Sequence, residues 1–121
     1  MTALRSSALH TGAGFLAMGA WAAFANRTHP MPTPLIAGAV QGTISAVLTF
    51  VLKRIVEAVS ARNEGVAAVV LPTLAAWAVS FSGLVLIHIA AGTPELWATI
   101  ALPNAVATCY AGLYAAAIRR Q

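Results

Sequence analysis

Charge is what this chain has least of. Its 121 residues include seven Lys or Arg and three Glu, so only 8% are charged, against about a quarter in an ordinary soluble domain. A soluble chain this short leaves roughly two-fifths of its unfolded-state surface exposed, and polar side chains must cover much of that. So few charges exclude an ordinary water-soluble domain. Cysteine is nearly missing too. Cys109 alone permits no intrachain disulfide and no multi-cysteine metal cluster, and its place in an apolar run assigns it a small packing role. No glycine loop of the phosphate-binding kind is present. Ser, His and acidic residues are too few and too scattered to specify a hydrolase. The chain reads as a non-enzyme without cofactor or metal.

Apolar residues dominate instead, at 60%. A bilayer is the solvent that accepts such a surface, and a membrane-crossing helix needs about 20 mostly apolar residues. Segments 34–57, 65–90 and 94–118 meet that length, while a fourth, 7–26, has a shorter purely apolar part, 13–25. The expected architecture is an all-α polytopic membrane protein, one compact bundle of four transmembrane helices spanning residues 1–121. The triplet Ala23-Phe24-Ala25 before Asn26 resembles a signal-peptidase site; a retained first helix is the expectation adopted.

The connections carry their own punctuation. Residues 26–32 are polar and proline-rich, 61–65 form a second polar turn, and Ala91-Gly92 a third. Thr33-Pro34 and Thr93-Pro94 each offer an N-cap followed by proline at the first helical position, with Glu95 placing a carboxylate at a positive helix end. The repeated Thr-Pro start, together with Trp21/Phe24 and Trp77/Phe81, faintly matches a duplicated two-helix unit.

Lys and Arg near helix ends mark the cytoplasmic side. With four crossings, Arg5, Lys53, Arg54, Arg62, Arg119 and Arg120 share one side, and Arg27 alone is on the other. Both termini are therefore expected in the cytoplasm. The net charge of +4 does not point to nucleic acid, because the basic residues cap apolar segments rather than forming a face with aromatic and polar partners. Lys53, Arg54, Arg62, Arg119 and Arg120 instead make a basic rim suited to anionic headgroups.

The second segment has a polar stripe. At 100° per residue, Gly38, Gln41, Gly42, Ser45, Thr49 and Lys53 fall within an arc of about 120°. Opposite lie Ile36, Val40, Ile44, Val47 and Val51, a face suited to lipid. Thr43 strays, and its hydroxyl can bond back one turn. Gly38 and Gly42 form a G-x-x-x-G pair that lets helix backbones approach, with Gln and Ser bonding across the seam. The fourth segment offers a matching face: Asn104 and Thr108 share an arc of about 100° with Ala101, Ala105, Gly112 and Ala115, and Pro103 frees backbone carbonyls by kinking that helix. Gln41 and Asn104 are thus expected to meet, about 10 and 15 Å deep in the noncytoplasmic half. Ser80 on the third segment completes a possible pocket of Gln41, Ser45, Ser80, Asn104 and Thr108, which packing alone also explains.

No acidic residue lies deep in a span, which argues against a proton-coupled pump. Small multidrug exporters share this size, yet their first-helix glutamate has no counterpart here. His10, His29 and His88 lack further donors at metal-ligand spacing and read as interfacial, with Glu95 near the latter two. Two functions fit. One is a small transporter-like or flippase-like inner-membrane component for an amphiphilic or lipid-linked substrate, working as a homo-oligomer or with a membrane partner. It expects a water-accessible cleft at Gln41 or Asn104. The other is a non-catalytic accessory subunit of a larger membrane complex, which expects a packed interior.

Overall fold

The computed structural model describes the backbone of residues 2–119, with side chains at Leu9 and from residue 12 to residue 119. Arg120, and the side chains of Arg5 and His10, lie outside the described residues. Four helices follow in order: α1 (Thr2–Ala25), α2 (Thr33–Ala61), α3 (Ala67–Ala91) and α4 (Leu96–Arg119). Helices α2, α3 and α4 are long and apolar enough to cross a membrane, whereas the apolar part of α1, Gly12–Ala25, is shorter.

Local chemistry sets the helix ends. Pro34 sits in the first turn of α2, where a missing N–H costs nothing. Thr33 lies inside that helix and makes no side-chain cap, contrary to the capping expected of it. α2 runs on from Glu57 to Ala61, and its last carbonyls are taken by Arg62 Nη1, on Ala58 O, and Asn63 Nδ2, on Val59 O. Gly65 follows with φ 62°, a left-handed conformation that glycine adopts without steric cost. α3 ends at Gly92, φ 73°, where the Thr93 N–H reaches back to His88 O at 3.0 Å. That is the six-to-one bond of a Schellman turn.

α2 is the central helix. Leu52 and Val56 pack with Ala76 of α3 and with Ala111 and Ala115 of α4, while nearer the α1–α2 loop Ile44 packs with Leu84 and Ile100. Ile44 is buried and Val40 half-buried, so the aliphatic face of α2 is not simply a lipid face; Ile36, Val47 and Val51 are exposed on it. The reason is geometric. A helix with neighbours on three sides has little circumference left for lipid.

The glycines of α2 meet α1 rather than α4. A Cβ added at Gly38 would lie 3.0 Å from Gly19 O, and one added at Gly19 would lie 2.9 Å from Gly38 O. At Gly42 the added atom would be 3.0 Å from Phe15 O. Only hydrogen fits such an approach, which is how small residues bring membrane helices together. On α4, Gly112 faces Thr73 of α3. We expect Gly38→Leu to destabilise the fold by about 1–3 kcal/mol through overpacking. Gly83→Ala, whose Cβ would meet nothing within 4 Å, should instead be neutral or gain up to about 1 kcal/mol of helix propensity. Thermal unfolding of both variants in one detergent decides; an unaffected Gly38→Leu protein would show that α1 is not seated on α2 in this way.

Candidate functional site

The Schellman turn is where the buried polar chemistry begins. By curling Thr93 over the last turn of α3, it brings Thr93 Oγ1 to 2.7 Å from His88 Nδ1. The other ring nitrogen, Nε2, is 2.7 Å from Gln41 Oε1, and Gln41 Nε2 donates to Ser45 Oγ at 2.9 Å. His88 and Gln41 are both fully buried. An amide oxygen only accepts, so His88 Nε2 carries a proton, and in the neutral ring Nδ1 accepts from the Thr93 hydroxyl. The donors then run one way: Thr93, His88, Gln41, Ser45.

This corrects two expectations. The partner of Gln41 is His88, not Asn104, and His88 is a core residue rather than an interfacial one. Its signal was periodic. The buried positions of α3 are Ala68, Pro72, Ala76, Ser80, Leu84 and His88, one in every four, and a helix repeats its face at that interval. Thr93 is spent on His88 instead of capping α4.

The α4 cap comes from another helix end. Asn26, fully buried, accepts the Glu95 N–H on Oδ1 at 3.1 Å and donates through Nδ2 to Thr99 Oγ1 and Ala22 O, both at 2.8 Å. Trp21 Nε1 donates to Ala98 O at 2.9 Å, and His29 Nε2 meets Glu95 Oε1 at 3.0 Å. Together these tie the loop end of α1 to the start of α4, which begins at Leu96 rather than Pro94. By sequence, Asn26 opens the polar connection 26–32. Nothing local in its spacing announces a cap in trans.

Away from that tie, α1 and α4 leave a groove of about 540 Å³ against α2. Gly14 and Met18 line it from α1, Ser45, Leu48, Thr49, Phe50, Leu52 and Lys53 from α2, and Pro103, Val106, Ala107 and Tyr110 from α4. Its size falls in the usual range of small-molecule sites, about 300–1,000 Å³. The Thr49 hydroxyl is committed to Ser45 O at 2.8 Å, so the wall at that level is effectively apolar. Neither Gln41 nor Asn104 lines the groove, contrary to the cleft expected there; it reaches their neighbours Ser45, Thr49 and Pro103. α4 stays helical through Pro103.

The remaining candidates separate. Ser80 Oγ and Asn104 Oδ1 are buried without a hydrogen-bond partner among the described residues. Thr108 bonds back to Asn104 O at 2.8 Å, as Thr43 does to Ala39 O. Lys53, Arg54, Arg62 and Arg119 are exposed. Cys109 is exposed as well, not the packing residue expected. Beyond the α2–α3 loop end of the groove, Tyr114 donates to Glu57 Oε2 at 2.7 Å and stacks on Tyr110, with centroids 5.9 Å apart. Among the described residues no cluster of three or more His, Cys, Asp or Glu could hold a metal.

No family model, curated protein or solved structure matches the chain. What stands plainly is a membrane protein by its three spanning-length apolar helices. The hydrogen-bond geometry yields a stability contrast. Gln41→Leu strands the buried His88 Nε2 and should cost about 1–3 kcal/mol, whereas Ser80→Ala removes a hydroxyl that has no partner and should be neutral or stabilising. Graded SDS unfolding of the two variants reads the difference directly; equal losses would contradict it.

Proposed function

We propose that this protein is a small multi-pass component of a bacterial-type inner membrane, transporter-like or flippase-like, that takes an amphiphilic or lipid-linked molecule into the α1–α2–α4 groove. In this reading it crosses four times with both termini in the cytoplasm and works with further copies or a membrane partner. The observation that carries it is the groove. Apolar side chains from three helices are joined there by Ser45, Lys53 and Tyr110, so one wall offers both a tail and a head contact. The orientation rests on the bias of Lys and Arg toward one set of helix ends.

The accessory-subunit reading has support of its own. The groove does not touch Gln41 or Asn104, and Gln41 is fully buried and bonded to His88 and Ser45, out of a substrate's reach.

Gly14 separates the two readings, because a Cβ added there meets nothing within 4 Å although the residue lines the groove. Gly14→Phe fills the groove without disturbing the helix seams. In vesicles reconstituted with the purified protein, it should slow translocation of a fluorescent lipid by about tenfold, equivalent to ~1.4 kcal/mol of lost interaction, at an unchanged unfolding temperature. Wild-type protein that moves no lipid, or a Gly14→Phe variant that moves it at full rate, would favour the accessory reading. Orientation has its own test in a Cys109→Ser background. Thr28→Cys, on the exposed α1–α2 loop, should react with an impermeant maleimide from outside the cell, and Glu64→Cys, exposed at the opposite end, only after permeabilisation.

A further inference from the structure

We infer that the groove holds one phosphate-headed lipid of the bilayer, its phosphate at Lys53 and Tyr110 and its tail along the apolar wall toward Met18 and Pro103. The inference rests on the reading of the groove as a binding site and names what it binds.

Three observations converge on it. The first is depth. From Thr33 to Lys53 α2 rises about 30 Å, which matches the roughly 30 Å of a bilayer's hydrocarbon. With Thr33 at one boundary, Lys53 stands at the other, where phosphates lie. The second is charge. Lys53 is the charged residue among those lining the groove, and Arg54 follows it; Arg119, exposed at the same end of the bundle, lies outside the lining. The nearby Glu57 carboxylate is not part of the lining and is engaged by the Tyr114 hydroxyl. Tyr110, held by its stack on Tyr114, also lines the groove. The third is how the groove opens. Phe50 and Val106 line it, yet they are 59% and 45% exposed. It therefore opens sideways toward acyl chains rather than into the bundle. Along the wall between, Leu48, Leu52 and Ala107 are apolar and Thr49 keeps its hydroxyl on its own helix.

An ammonium group at the phosphate level, a phenol O–H in the same groove and an apolar slot behind them select a head-and-tail molecule. A free phosphate ion would leave the slot unfilled, and a neutral lipid would place no charge opposite Lys53.

Native mass spectrometry of the full-length protein in detergent tests this, with phosphatidic acid as the probe and diacylglycerol of identical chains as the comparator. Phosphatidic acid should be retained at least about fivefold better, the worth of one basic side chain near the membrane surface. Lys53→Ala should abolish that preference, Lys53→Arg should keep it, and Arg119→Ala should leave it within twofold. Millimolar inorganic phosphate should not compete. Equal losses in Lys53→Ala and Arg119→Ala would assign the effect to diffuse surface charge and overturn the site, as would wild-type protein without preference or competition by free phosphate. Gly14→Phe should lower retention of both lipids; if it does not, the tail is not in this groove. The vesicle assay fails separately. A protein that binds phosphatidic acid as described but moves no lipid keeps the ligand and loses the transport reading. One that moves lipid with no Lys53-dependent preference keeps transport and loses the ligand.

Discussion

The hydrogen bond between Gln41 and His88 is the interaction around which the rest of the bundle is arranged. In hydrocarbon an unpaired amide or imidazole N–H costs several kcal/mol, and Gln41 and His88 on adjacent helices avoid that cost by facing one another. Their pairing fixes the rotation of α2 against α3 and places Ile44 beside Leu84 and Ile100 in the core. It also decides where the rest of the α2 stripe points. With Gln41 turned to α3, Gly38 and Gly42 meet α1, and Ser45 reaches the groove.

The same division explains why α1 closes only part of the bundle. It is held along the glycine seam with α2, and at the loop end by Asn26 and Trp21 on the first turn of α4. Beyond that tie no side-chain bond between α1 and α4 occurs among the described residues, and the groove lies there. α1 is thus seated by the glycine contact and the polar tie rather than by continuous packing against α4.

Much of the fold was legible because it follows from length and periodicity. Helix count, order and approximate ends could be read from apolar runs broken by proline, glycine and charge. The site was legible only in outline. The stripe on α2 could be projected onto one face, but a projection does not say which neighbour that face meets. Gln41 was matched to Asn104 because both are amides at similar depth; the fold instead chose His88, four residues before the Gly92 turn. Asn26 shows the limit most clearly. Its role depends on Glu95 and Thr99, some 70 residues away, and no local pattern records so distant a partner.

A seam and a passage make different demands on the same polar stripe. A seam needs every donor and acceptor paired, as in the run from Thr93 to Ser45. A binding groove needs apolar walls with polar groups only where the ligand's head will sit, and uncommitted hydroxyls in between would weaken it. α2 carries a paired stretch and then a stretch beside open volume. Gln41 is paired inside the bundle, the Thr49 hydroxyl is turned onto its own backbone, and Lys53 is left exposed at the groove end. The last members of the stripe do not pack wholly against a neighbouring helix. Instead Ser45, Thr49 and Lys53 face open volume, with Gly14 opposite contributing no side chain to fill it.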